Sequence, residues 1–229
     1  VTEDEYERFF EQVANTKVPY KFKLHYTTDV PLAIKTLLYI PSQTSERMNM
    51  PQEESAVDLY CKKVLIKAKC GELLPNYLRF VKGVVDCEDL PLNISRETYQ
   101  DSSLVAKLRN IITRRVLKTL EDEARKDPAK YNTWYATFKG HIAEGTQTDT
   151  TNREVVYKLM RFAANYKKSS SDLISLEEYI SKMKEGQKKI YFTNGSSYHA
   201  AMDTPFYEPF KDSDVPVLVL SNQLDEFCL

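Results

Sequence analysis

Residues 102–126 restrict the possible folds of this chain more than any other stretch. Leu104, Leu108, Ile111, Ile112, Val116 and Leu120 recur every three to four residues, the period of a helix that turns one face to a core. Lys107, Arg109, Arg114, Arg115 and Lys118 occupy the other faces. They read either as a solvated surface or as a docking surface for an acidic partner. The runs on either side have a different, strand-like period, so helices and strands must pack as layers of an α/β protein.

Upstream, Thr2 and Glu5 fit a capping box, followed by Tyr6, Phe9, Phe10 and Val13 at helical spacing. Strand-type runs follow at residues 32–40, between Pro31 and Pro41, and at residues 57–66, half alternating and half continuously apolar. The polar stretch 42–55 between them reads as a mobile loop. Residues 75–80 lead into an apolar strand (Val81, Val84, Val85), then an acidic turn of Asp86, Glu88 and Asp89, then a proline-pinned loop presenting Ser95, Arg96 and Gln100.

Downstream, Asp127 and Pro128 restart a helix as N-cap and first helical residue. It carries Tyr131, Trp134, Tyr135 and Phe138 before Gly140, and another helix is expected over about residues 152–164. The polar run 167–171 is the best candidate joint. Beyond it, Ser175 and Glu178 open a helix ending near Gly186, and residues 190–192 form a strand. Asn194 and Gly195 make a turn, Thr204 and Pro205 cap a short helix, and residues 217–220 form a buried strand. Both chain ends read as cuts from a longer polypeptide.

A net charge of −1 argues against a nucleic-acid binder held by phosphate contacts, and no apolar run approaches a membrane span. Cys61, Cys70, Cys87 and Cys228 form no close pair and only three histidines are present. Free thiols are therefore expected, and no metal site. The six glycines make neither GxGxxG nor GxxxxGK[ST], so no standard phosphate cradle is written here, and no GxSxG elbow occurs. Asp86, Glu88 and Asp89 are either paired carboxylates for acid–base work or a solvated turn. Arg96 is either an exposed arginine paired with Glu97 or a helix dipole, or a forked cation aimed at a partner's phosphoryl group. Gln100 aids the same site or caps the helix. The Trp134 group reads as helix core or as a partly exposed patch for a partner protein.

Residues 80–100 resemble the catalytic loop of the ninety-kilodalton heat-shock protein chaperones, of the GHKL ATPase superfamily. Further segments resemble the family in the same order: 38–41 (LYIP), 59–60 with 64–66, 75–80 (PNYLRF), 158–162 (KLMRF), 175–179 (SLEEY), 188–191 (KKIY) and 224–227 (LDEF). Residues 23–32 look most like the mitochondrial branch and residues 183–186 are equally like the bacterial one. The resemblance implies the family's middle domain: two α/β/α sandwich units, large then small, joined by a short helical coil. Residues 1–125 would be the large unit with the catalytic loop, 126–165 the helical connector and 166–229 the small unit.

By the same resemblance Arg96 would contact the γ-phosphate of ATP in the closed full-length protein, and Gln100 would assist. ATP and Mg2+ would be held mainly by an amino-terminal domain outside this chain, so the isolated fragment is expected to be inactive. The implied partners are client proteins, that amino-terminal domain, a second copy through a carboxy-terminal domain, and co-chaperones. The implied location is the mitochondrial matrix, with the cytoplasm as the alternative. Cys87 stands where serine is usual, and Thr98 and Tyr99 where two aliphatic residues are usual. Two other readings stand beside this one. One is a client or co-chaperone binding module with no catalytic role. The other is the transducer-like domain of another GHKL ATPase, whose Gln-Thr-Lys loop has no counterpart here.

Overall fold

The computed structural model describes residues 1–44, 46, 54–90, 102–167, 169, 171–221, 223–226 and 228. They form two compact units, Val1–Glu123 and Ala124–Leu229. Most of the stretch 42–55, expected to be mobile, lies outside the described residues.

The first unit opens with helix α1 (Glu3–Ala14), started by the Thr2/Glu5 capping box and closed by Asn15 in the left-handed conformation. Five strands follow: β1 (Tyr20–Thr28), β2 (Ile34–Pro41), β3 (Ala56–Cys61), β4 (Val64–Lys67) and β5 (Lys82–Cys87). They form one sheet in the order β1-β2-β5-β3-β4. Its pairings are antiparallel except β3 with β5, which is parallel. Strand alternation assigns the two faces. On one face α1 meets β1 and β2: the Tyr6 hydroxyl lies 2.7 Å from His25 Nδ1, and the Phe10 ring sits 5.1 Å from that of Tyr39. Helix α2 (Ser102–Lys126) takes the other face, where the Arg115 guanidinium lies 5.1 Å from the centre of the Tyr26 ring. The expected stripe on α2 is buried at Leu108, Ile112, Val116 and Leu120, so this unit is an α/β/α sandwich.

One glycine is indispensable to that sheet. Gly83 sits in β5 between β2 and β3 with φ of 141°, and a Cβ there would come within 2.2 Å of the Leu37 carbonyl oxygen. Only glycine accepts both the dihedral and the close approach.

The run 57–66 is not the single covered strand expected. It folds back as the β3–β4 hairpin through Lys62 and Lys63, at φ of 49° and 67°. Lysine is an unusual residue for that turn, and the Lys63 N–H is held by Asp86 Oδ2 at 3.1 Å. β4 is an edge strand, and Val64 and Leu65 are 56% and 50% exposed.

The second unit contains α3 (Pro128–Thr148), α4 (Arg153–Leu159), β6 (Ala163–Ala164), α5 (Leu176–Lys182), β7 (Tyr191–Asn194), α6 (Tyr198–Met202), β8 (Val217–Leu220) and α7 (Gln223–Glu226). Its three-stranded sheet runs β6-β8-β7, with β6 antiparallel and β7 parallel to the buried β8. Asp127 caps α3 by accepting the Lys130 N–H, as expected. The helix does not stop at Gly140. It continues through Gly145, because His141, Ile142 and Gly145 are buried and tertiary packing outweighs the glycine penalty of about 1 kcal/mol. α4 ends at Leu159, short of the expected residue 164: Met160 leaves helical dihedrals, Phe162 bridges to Ile174, and Ala163–Ala164 joins the sheet. α5 stops at Lys182 rather than near Gly186. Of the short helix expected at Thr204 only a short 3-10 helix forms, Glu208–Phe210, with Tyr207 rather than Thr204 at its N-cap, and Ser197 caps the α-helix that precedes it.

The Trp134 group is core. Tyr131, Trp134, Tyr135 and Phe138 are all buried, which removes the reading of an exposed aromatic patch. Among the described residues no helix is long and apolar enough to cross a membrane.

Candidate functional site

Arg96 and Gln100 lie outside the described residues, as does the whole stretch 91–101. The structure does describe the two stems from which that stretch departs and returns.

The entry stem is the acidic turn after β5, and each of its carboxylates is committed to a strand end. Asp86 accepts from the Lys63 N–H, closing the β3–β4 hairpin. Glu88 pairs with Lys35 of β2 at 2.7 Å, and this contact holds its carboxyl below the usual range. The Glu88 N–H donates to the Ala33 carbonyl at 3.0 Å, and Asp89 Oδ2 accepts from the Ala33 N–H at 2.7 Å. Leu90 is buried, and its carbonyl accepts from the Cys61 thiol at 3.3 Å. The turn is therefore a clasp joining β2, β3 and β5, and the acid–base reading of Asp86, Glu88 and Asp89 finds no support in it. Among the described residues no hydroxyl, thiol or imidazole is hydrogen-bonded to any of the three carboxylates.

Cys87, which stands where serine is usual in the resembled family, fits its place. Its side chain is fully buried beside Cys61, and burial pushes both thiols up from their ordinary pKa. Both remain protonated at neutral pH and serve as small apolar fillers. Cys70 and Cys228 are likewise buried and unbonded to other cysteines.

The exit stem is α2, anchored where Val105 and Leu108 enter the core. Arg109, Arg114 and Lys118 lie off the buried stripe, Arg115 reaches the Tyr26 ring of β1, and Lys118 is paired with Asp122 at 2.7 Å. The clasped end of β5 and the packed start of α2 are thus the two anchored points on either side of residues 91–101.

The clasp was missed from the sequence. Its only written signal is an acidic residue just before the Leu90–Pro91 step, and nothing in the pattern names Ala33 or Cys61 as partners. A second missed contact is the buried pair of Arg79 with Glu46, at 2.6 and 2.9 Å, which ties part of the polar stretch 42–55 to residues 75–80. Among the described residues no group of three or more His, Cys, Asp or Glu is placed to hold a metal ion.

A family model described as "Hsp90 protein" matches residues 1–229, the full chain. The chain is 40% identical over its whole length to the mitochondrial TNF receptor-associated protein 1 homolog of Dictyostelium discoideum, covering 32% of that protein. It is also 40% identical to the chaperone protein HtpG of Desulfitobacterium hafniense, over 99% of this chain and 37% of that one. The HtpG of an Escherichia coli strain gives 40% over all of this chain and 37% of its own length. The chain thus spans about a third of the length of the curated relatives it matches.

Proposed function

The chain belongs to the Hsp90 protein family, and from that membership we propose that it is the middle segment of an ATP-dependent molecular chaperone. The observation that carries the reading is the match of one family model to every residue, together with relatives about three times longer that are named as chaperones.

In this reading Arg96 is carried on the loop between the clasp and α2 and meets the γ-phosphate of ATP when the full-length protein closes. A guanidinium is permanently charged and forked, which suits it to a phosphoryl group gaining charge. Gln100 would assist at the same site. By the family resemblance, ATP and Mg2+ would be held mainly by an amino-terminal domain outside this chain. Hydrolysis would then wait on closure, which makes a conformational step the gate. The isolated chain is expected to hydrolyse no ATP.

The domain plan follows the same reading: a catalytic large unit to residue 125, a helical connector over 126–165 and a small unit over 166–229. Client proteins would be met on exposed apolar side chains such as Ile180, Phe192 and Phe206 of the second unit. Co-chaperones and a second copy would join through the full-length protein. Residues 23–32 favour the mitochondrial matrix over the cytoplasm.

The test is steady-state ATP hydrolysis by the full-length protein, wild type against Arg96→Ala, with circular dichroism confirming that both fold. A drop of about tenfold or more, ~1.4 kcal/mol of transition-state stabilisation, is expected. Unchanged turnover would leave the chain as a binding module without a catalytic role.

A further inference from the structure

The second unit contains a cleft of about 590 Å³ beside α3 and the strands β6 and β8. Tyr135, Phe162, Leu173 and Val219 form its apolar walls, and Arg161 lines it although only 8% exposed. Arg161 Nη1 donates to the carbonyls of Lys158 and Met160 at 2.9 and 2.7 Å, and the guanidinium stacks 4.6 Å from the centre of the Tyr131 ring. Among the described residues Nε and Nη2 make no hydrogen bond, and Glu177 and Glu178 favour the charge only without direct contact, Glu178 being paired with Lys167 at 3.0 Å. A buried guanidinium ordinarily ends in a two-pronged contact with a carboxylate or phosphate, and Arg161 makes no such contact among the described residues.

The same cleft holds one unmatched acceptor. Asn132 Nδ2 donates to the Leu173 carbonyl at 2.8 Å, while its Oδ1 is buried with no donor. The cleft therefore offers several N–H donors from one cation, one amide oxygen and apolar walls. Two acidic groups also line it. Asp172 faces Lys167 at 3.9 Å, and burial pushes the Asp225 carboxyl up from its ordinary pKa against the influence of Lys139.

From this arrangement we propose that the cleft binds a carboxylate joined to an amide N–H and an apolar side chain, the chemistry of a C-terminal apolar residue. Its carboxylate accepts from Arg161, its N–H donates to Asn132 Oδ1, and its side chain lies against Phe162, Leu173 and Val219. A free N-acyl amino acid carries the same groups as a peptide end.

The experiment is an NMR titration of the 229-residue chain, following the Arg161 Nε–H and the amides of Ala163, Leu173 and Val219. The probes are N-acetyl-leucine, N-acetyl-leucinamide and a leucine-terminated hexapeptide. N-acetyl-leucine should produce saturable shifts at millimolar concentrations, and the amide should bind about tenfold or more weakly. Arg161→Gln should abolish the response. Should that variant fail to fold, Ala136→Glu, at an exposed α3 position lining the cleft, tethers a competing carboxylate. It should weaken binding more than Ala136→Gln. Tighter binding by the hexapeptide assigns the site to peptide ends, and equal binding assigns it to the free acyl amino acid. No saturable shift, equal response to acid and amide, or binding untouched by both Arg161→Gln and Ala136→Glu would overturn the proposal.

Discussion

The two units bury their backbones in different ways. The first does so chiefly with strands of four to nine residues paired along a five-stranded ladder, with Asp86 and Asp89 side chains closing only its ends. The second has strands of two, four and four residues, too short to satisfy their own surroundings, and polar side chains complete the network. Tyr179 donates to the Pro216 carbonyl at 2.8 Å and accepts from the Tyr191 N–H at 2.9 Å. Asn165 donates to the Val215 carbonyl and accepts from the Val217 N–H, at 3.0 and 2.9 Å. Tyr131 donates to the Leu159 carbonyl at 2.9 Å. A large sheet concentrates its sensitivity in packing and backbone geometry, whereas a small one concentrates it in a few hydroxyls and amides.

The first unit should break most completely at Gly83→Ala. The substitution combines a disfavoured φ with contact against the Leu37 carbonyl, and a loss on the order of 4 kcal/mol or more is expected, read as lost far-UV circular dichroism at ambient temperature. Leu38→Ala, at a buried position in β2, should cost about 2–5 kcal/mol by urea unfolding.

The same chemical change made in each unit sharpens the contrast. Tyr179→Phe removes a donor and an acceptor at once and should cost about 1–3 kcal/mol, whereas Tyr39→Phe loses one bond, to the Tyr6 carbonyl at 3.1 Å, and should cost about 0.5–1.5 kcal/mol. Equal losses would erase the distinction. The only tryptophan, Trp134, lies in the core of the second unit, so its emission reads that unit while circular dichroism reads both.

The smallest effect is set by acid. The Lys67 ammonium donates to Glu72 at 2.7 Å and brings its carboxyl down to about 2 from 4.5. A depressed folded pKa contributes stability above pH 4.5 that is lost as the pH falls towards 2. Glu72 is half exposed, so solvent screening reduces the contribution to about 1 kcal/mol or less. Lys67→Met should flatten the acid limb of the stability curve over that interval by the same amount.

The features written locally were legible in the sequence. The capping box at Thr2, the Asp127–Pro128 start, the α2 stripe and the buried run 217–220 each rest on residues adjacent in sequence or one turn apart. What escaped depends on distant partners. The Lys62–Lys63 turn exists because Asp86 holds it, α4 gives way at Met160 because β8 offers a strand partner, and α3 crosses Gly140 because its later residues are buried. Arg96 and Gln100 came from likeness to a family rather than from spacing. The unmatched donors of Arg161 could not be read from a residue that in sequence is merely one more arginine.

The four cysteines divide unevenly between the units: Cys61, Cys70 and Cys87 fall in the first and Cys228 in the second, all buried. Burial holds the thiols of Cys61, Cys87 and Cys228 above their ordinary pKa, so a thiol-reactive dye can attach only when the surrounding structure opens. Peptide mapping of the labelled chain under native conditions would then time the breathing of each unit, with three independent clocks in one and a single clock in the other.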